Sequence, residues 1–196
     1  IKTYIRAKRF KQAWKQAKAW RALDPMNLGV HRLLGDLGWA LGKKRIARTL
    51  YSNIAELVPH QPEALRLVGA LLVRRKDYGT AQKYLMQAHR ARPADPCYGL
   101  ELADLYVRTG RNQKAVELIS GLAAVFSGRQ PLVAARALEI LARVGSTGSV
   151  RGVRRIRRLL EKVALKTGHI TVKTGWDPLQ GQLELGLMTP GEKQIS

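Results

Sequence analysis

Apolar residues along most of the chain recur every three to four positions, the spacing that places them on one face of an α-helix. Ala13, Ala17 and Trp20 form one such stripe, and Val153 and Ile156 belong to another. Turn-forming prolines and glycines separate the segments that carry these stripes. The pattern predicts an all-α chain of short helices joined by tight turns.

The turns between the predicted helices recur at a constant interval. Pro25, Pro59 and Pro93 are each 34 residues apart, and proline ends helices because it lacks a backbone donor and clashes with the preceding turn. A second series with the same spacing consists of Ala13, Ala47, Ala81 and Ala115. A fixed period of this length indicates a repeat protein built from helical hairpins.

The segment 63–93 carries the clearest copy of the repeat. Its large, small and proline positions are Leu65, Val68, Gly69, Leu72, Ala81, Leu85, Ala88 and Pro93. This pattern resembles the tetratricopeptide repeat family, whose helix pairs have small residues at the crossing and a proline after the second helix. The preceding copy departs from it at His31 and Gly38, where larger apolar groups are usual. The resemblance implies a right-handed superhelical α-solenoid of stacked hairpins.

The repeat pattern divides the chain into a helical part, 1–167, and a tail, 168–196. The helical part comprises a partial repeat at 1–26, repeats at 28–60, 62–94 and 96–127, and a degenerate capping pair at 130–167. The tail alternates in polarity and contains turn residues, which predicts a β-hairpin. Two strands are marginal alone, so the tail is interpreted as the start of a truncated β domain, or else an extension that packs elsewhere.

The tail sequence ITVKTGWDPLQGQLELGLMTPGEKQIS is similar to the opening of a β-sandwich that follows such repeats in some bacterial multidomain proteins. That resemblance implies that the chain is part of a larger bacterial protein. The compartment of that protein is unknown, and the protein is expected to be either soluble or associated with the cell envelope. No apolar run approaches the ~20 residues that a membrane-spanning helix needs.

The positive charge is concentrated toward the two ends of the chain. The formal net charge is +21, and residues 1–23 hold eight Lys or Arg and no acid, while 143–173 hold nine against one. A predicted amphipathic helix near the C-terminal end carries Arg151, Arg154, Arg155 and Arg158 on one face. This basic patch is either the solvated face of a capping helix, a docking face for a protein, or a binding site for nucleic acid or anionic lipid.

The sequence contains little that indicates catalysis or metal binding. Its four histidines lie far apart, without a second ligand at metal-binding spacing, and the acids are isolated rather than paired for acid–base work. We therefore expect no enzyme activity, no metal, no cofactor and no small-molecule substrate. The single cysteine, Cys97, is expected to be a small buried apolar residue.

The family resemblance also implies which residues line a concave groove formed by the first helix of each hairpin. These are Arg32, Asp36, Trp39, Arg66, Arg74, Asp104 and Arg108. The leading hypothesis is a non-enzymatic scaffold that binds a peptide or partner helix there, with acidic or mixed-charge protein partners. The charged residues could instead be merely solvated, and Trp39 could pack in the core. The alternative function is binding of nucleic acid or an anionic surface through the basic terminal helices.

Overall fold

The computed structural model describes residues 1–123, 131–145 and 153–165, and the regular elements of these residues are α-helices. In chain order they are α1 (Lys2–Arg6), α2 (Phe10–Leu23), α3 (Leu28–Ala40), α4 (Lys44–Leu57), α5 (Pro62–Arg74), α6 (Tyr78–Ala91), α7 (Pro96–Arg108), α8 (Asn112–Ala123), α9 (Pro131–Gly145) and α10 (Val153–Leu165). The all-helical prediction is therefore confirmed for this part of the chain. The predicted β-hairpin at 168–196 lies outside the described residues, and the proposed division into repeats and tail stays a prediction.

The helices pack as hairpins, in which odd-numbered A helices precede even-numbered B helices. The chain divides into two compact units, unit 1 (Ile1–Ala91) and unit 2 (Arg92–Ser196). In unit 1 each helix from α1 to α6 packs against the next one along the chain. In unit 2, α9 packs against α7, α8 and α10, and α8 also contacts α7 and α10.

Local capping chemistry explains where several helices begin. The Asn27 side chain accepts a hydrogen bond from the Val30 amide at 3.2 Å at the start of α3. Asp95 accepts one from the Cys97 amide at 3.0 Å at the start of α7. Such caps satisfy amide groups that the first turn of a helix leaves without a partner. Pro62 occupies the first position of α5, where its missing donor costs nothing.

Each of the first four A-to-B turns, which lie within the described residues, contains one residue with a left-handed backbone. The four residues are Lys8, Gly42, Lys76 and Gly110, with φ of 53°, 74°, 60° and 74°, and they share the 34-residue spacing. Two of them are the expected glycines. The two lysines occupy a conformation that costs a residue with a Cβ about 1 kcal/mol or more.

Small residues allow the two helices of a hairpin to approach closely, as the pattern predicts. A methyl group added to Gly35 would lie 2.2 Å from the ring of Tyr51, so these two positions are complementary in size. Gly38, an unusual residue at its repeat position, is explained by the preceding hairpin. A methyl group there would lie 3.1 Å from the ring of Trp14, which fills the space.

Each unit has its own apolar core. In unit 1 one cluster consists of Ala13, Ala17, Val30, Leu34, Leu37 and Leu50. The cluster of unit 2 includes Leu100, Ala103, Val116, Ile119, Ala137, Leu138, Ile140, Leu141, Ile156 and Leu160. Full burial of one such leucine or isoleucine side chain contributes about 1.5–3 kcal/mol. Stacking of neighbouring hairpins thus supplies the cohesion that a single hairpin lacks.

One expectation about burial is wrong, that for Cys97. Trp20, which shares a stripe with Ala13 and Ala17, is 41% exposed, whereas the two alanines are buried. Cys97 is exposed rather than buried. It is the second residue of α7, and its neighbours Pro96 and Tyr98 take the inward-facing positions.

Candidate partner-binding surface

The predicted groove residues are distributed over three A helices. Five of them, Arg32, Asp36, Trp39, Arg66 and Arg74, lie on α3 and α5 in unit 1 and define what we call the A-helix face. The other two, Asp104 and Arg108, lie on α7 in unit 2. Spacings of three, four and eight residues place each set on one side of its helix.

Asp36 connects two successive A helices of unit 1. Its Oδ1 accepts a hydrogen bond from the Tyr51 hydroxyl at 2.7 Å. The same oxygen accepts a second from Arg75 Nη2 at 2.6 Å. Because Arg75 follows the end of α5, this contact fastens one hairpin to the next. Burial, together with the hydrogen bond to Asp36, raises the pKa of Tyr51 to about 12.

Trp39 is half-buried and belongs to the same cluster. Its ring stacks on that of Tyr51, with 6.4 Å between ring centroids and an interplanar angle of 22°. The guanidinium of Arg48 lies 6.0 Å from the Trp39 centroid, within the range of a cation–π contact. Arg48 also forms an ion pair with Asp77. Trp39 therefore packs against its neighbours and also stays partly exposed. Core packing and an exposed position, the two alternatives for this residue, each apply in part.

The remaining A-helix face residues are spread along the helices. Arg32 and Arg74 are exposed, whereas Arg66 is half-buried. Together with Asp36 and Trp39 they are distributed over two helices, α3 and α5, and the face is therefore an extended polar surface. An extended surface suits a peptide or a helix better than it suits a small molecule.

Asp104 occupies the equivalent position in unit 2 and is more deeply buried. Its carboxylate accepts a hydrogen bond from Arg108 Nε at 2.6 Å and a second from Arg143 on α9. Burial opposes ionisation of Asp104, but the hydrogen bonds and charges of the two arginines outweigh it and lower the pKa of the carboxyl. Asp104 and Arg108 thus partner each other within the fold, and a role in binding stays a prediction.

Sequence reasoning missed the arginines that hold these aspartates, although the spacing contains a signal. Asp36 pairs with Arg75, and Asp104 with Arg143, each 39 residues further along the chain. That distance is one 34-residue period plus five residues, so both pairs join the same repeat positions. Two acid–base pairs at one non-local spacing could have indicated an ion pair between successive hairpins.

The basic patch lies on α10, where Arg154, Arg155 and Arg158 are exposed and Arg151 lies outside the described residues. On the opposite side, Ile156 and Leu160 are buried in the core of unit 2. The helix is thus held by its apolar side, and its cations face outward. This arrangement agrees with the predicted amphipathic helix but does not identify what the cations contact.

No group of metal-ligating side chains occurs among the residues that the structure describes. His31 is buried, and its Nε2 donates to the Pro25 carbonyl at 2.8 Å, so it serves as an internal tie between a loop and α3. Within the described ranges, no helix combines the length and apolarity that crossing a membrane requires.

Comparisons with known proteins agree with the repeat interpretation. Residues 72–138 match the family model described as Tetratricopeptide repeat, so this stretch, from the end of α5 into α9, consists of tetratricopeptide repeat sequence. The resemblance indicated by the residue pattern is confirmed. No curated protein matches the chain.

Solved structures with a similar fold include the protein MamA. One crystal structure of MamA has a TM-score of 0.56 and 17% identity, covering 85% of this chain and 95% of that chain. The structure of MamA from residue 41 to its end, from Desulfovibrio magneticus RS-1, has a TM-score of 0.52 and 18% identity, covering 85% and 91%. At this identity the likeness establishes the fold and leaves the function open.

Proposed function

We propose that the protein is a non-enzymatic scaffold whose A helices line the concave side of a right-handed superhelix. In this proposal the concave side holds a peptide or helix of a protein partner with acidic or mixed charge. The protein would act within a larger assembly, which we propose to be bacterial. The supporting observation is the A-helix face itself, which carries exposed Arg32 and Arg74 and the half-buried ring of Trp39 on α3 and α5.

The chemistry of this face suits a partner that brings carboxylates and one apolar group. Arg32 and Arg74 offer long, solvated cations, which steer acidic partners more than they tighten a complex. Trp39 is already aligned by Tyr51, so a bound side chain could pack on it without ordering a mobile ring first. Pre-organisation of this kind lowers the entropy cost of binding.

The test is photo-crosslinking in living cells, with a photoreactive amino acid placed at position 32 or 74. We expect the same protein to be captured from both positions. In an Arg32→Glu/Arg74→Glu variant, with the photoreactive amino acid at position 39, capture should fall about tenfold. This corresponds to a loss of about 1.4 kcal/mol in binding free energy. The matched control is Lys18→Glu/Lys83→Glu, which changes the net charge equally at exposed positions on the B helices. Equal losses in both variants would contradict the proposal.

A second candidate function is binding of nucleic acid or an anionic membrane through α10. It is favoured by the exposure of Arg154, Arg155 and Arg158 opposite a buried apolar side. Affinity for duplex DNA or for phosphatidylserine vesicles should then fall steeply with salt. Arg154→Glu/Arg155→Glu should abolish that binding, and unchanged binding would exclude this function.

A further inference from the structure

The A-to-B turns of unit 1 carry a dense group of exposed cations. The group comprises Lys8, Arg9 and Lys11 in or just after the first turn, Lys43, Lys44 and Arg45 in or just after the second, and Lys76 in the third. We call this group the basic turn edge. It shares no residue with the A-helix face or with the basic patch on α10.

Side-chain contacts link the second hairpin to the hairpins on both sides of it. Lys43 Nζ lies 5.3 Å from the ring centroid of Trp14, a residue near the start of α2. On the other side, Arg48 from the first turns of α4 pairs with Asp77 in the α5–α6 turn. The second hairpin therefore contacts both neighbouring hairpins, and because all three turns join an A helix to a B helix, their cations lie at the same end of the hairpins.

The acids of unit 1 do not neutralise this surface. Asp36 and Asp77 are engaged by Arg75 and Arg48. The other acids, Asp24, Glu56 and Glu63, lie at the B-to-A ends of the helices, away from the A-to-B turns. A positive potential concentrated on one surface attracts an anionic partner and accelerates its association.

Backbone strain indicates that lysine is not a neutral choice at this edge. Lys8 and Lys76 adopt left-handed φ values, whereas the same turn position is Gly42 and Gly110 in two other hairpins. Strained residues persist where the rest of the structure or a function requires them, and they concentrate at functional sites. The chain thus keeps two cations at positions where glycine is more stable.

The centre of the edge also offers an apolar contact. Ile46 is 48% exposed and lines an open depression of about 580 Å³ together with Gly42, Lys43, Lys44, Arg45 and Thr49. Lys43 lies over one face of the Trp14 indole, which leaves less of this ring for a nucleic-acid base to stack on. The combination favours a protein segment over a nucleic acid.

From these observations we infer that the basic turn edge binds an acidic segment of a protein partner, with an apolar side chain of that segment against Ile46. Its carboxylates lie along the lysines and arginines of the three turns. The inference adds a second surface to the proposed scaffold and does not depend on binding at the A-helix face.

The test measures fluorescence anisotropy with a labelled hexapeptide of five acidic residues and one central leucine. We expect binding at low salt that weakens about tenfold in Lys44→Glu/Arg45→Glu, equivalent to 1.4 kcal/mol. The matched control on α10, Arg154→Glu/Arg155→Glu, makes the same change in charge and should alter the affinity less than about twofold. Circular dichroism checks that the exposed substitutions leave the helices intact.

Two further comparisons define the site. Ile46→Ser should weaken the leucine peptide about threefold and leave a peptide with serine in place of leucine unaffected. Arg32→Glu/Arg74→Glu on the A-helix face should leave the peptide bound. Loss of partner binding at the A-helix face can therefore be distinguished from loss of peptide binding at the basic turn edge. The inference is overturned if wild type does not bind the peptide or both charge variants weaken it equally. Tighter binding of a 20-base-pair duplex or phosphatidylserine vesicles through Lys44 and Arg45 would also overturn it.

Discussion

The two units use the same ion pair between successive hairpins but place it in different surroundings. In unit 1 the Asp36 side chain is 36% exposed and shares its oxygen between Arg75 and the Tyr51 hydroxyl. In unit 2 the Asp104 side chain is 10% exposed and is held by two arginines, with apolar Ile119 at the position of Tyr51. The repeat thus preserves the pairing while the neighbours decide how much the pair contributes.

This difference shows why a repeat position cannot be assigned one energy. An exposed ion pair contributes about 0–1 kcal/mol because water screens it and its side chains lose entropy. Breaking a buried pair costs more, since the remaining partner is left without compensation in a poorly solvated place. Asp36 should therefore be the more replaceable of the two aspartates, and Asp104 the more structural.

The largest expected effect is the contrast between Asp104→Asn and Asp36→Asn. Asp104→Asn should lower the free energy of unfolding by about 2–3 kcal/mol, because Arg108 and Arg143 lose a charged acceptor. Asp36→Asn should cost at most about 1 kcal/mol. Urea denaturation followed by circular dichroism measures both. Equal costs would show that burial does not govern these pairs.

The next contrast concerns glycines that pack against a neighbour and glycines that do not. Gly35→Ala should cost about 1–3 kcal/mol, because the new methyl would overlap the rigid ring of Tyr51 in unit 1. Gly121→Ala in α8 of unit 2 has open space around it and should stabilise the helix by about 0.5–1 kcal/mol. Thermal unfolding of both variants checks the signs, and destabilisation by Gly121→Ala would contradict the assignment.

Whether a feature of the fold or the site could be predicted depends on how far apart along the chain the residues that determine it lie. Helix positions follow from local signals such as the proline at the start of α5, and hairpin stacking follows from the 34-residue period. The A-helix face residues could be placed on their helices by spacing alone. Apart from the period, these features depend on residues within one or two turns of each other.

Features that depend on the next hairpin could not be predicted in the same way. Asp36 resembled a free groove residue because its partner, Arg75, lies 39 positions away. The exposure of Trp20 could not be predicted, because a stripe on one helix does not show how far the neighbouring helix reaches. Lys8 and Lys76 were missed as turn residues because glycine is the usual sign of a left-handed backbone.

The third prediction concerns alkaline pH, where the two units should respond differently. The pKa of Tyr51 in the folded state is about 12, above its ordinary value of about 10, so the neutral phenol favours folding. This contribution is complete below about pH 10 and is lost as the pH rises toward 12. Tyr51→Phe should lose less stability than wild type over that window in urea titrations. Parallel curves would show that the phenol is not held as described.

The smallest expected effect compares the same turn position in the two units. Lys76→Gly should raise the free energy of unfolding by up to about 1 kcal/mol, because glycine adopts the left-handed φ of this turn without steric cost. Gly110→Ala should lower it by a similar amount, since a Cβ is introduced into the same conformation. Chemical denaturation measures both changes.

Lys76→Gly also tests the basic turn edge. If this variant binds the acidic peptide more weakly while its fold is more stable, stability and binding are in conflict at the edge, which is what retention of a strained lysine implies. A stabilised variant with unchanged peptide affinity would remove Lys76 from that surface and leave the cations of the first two turns to carry it.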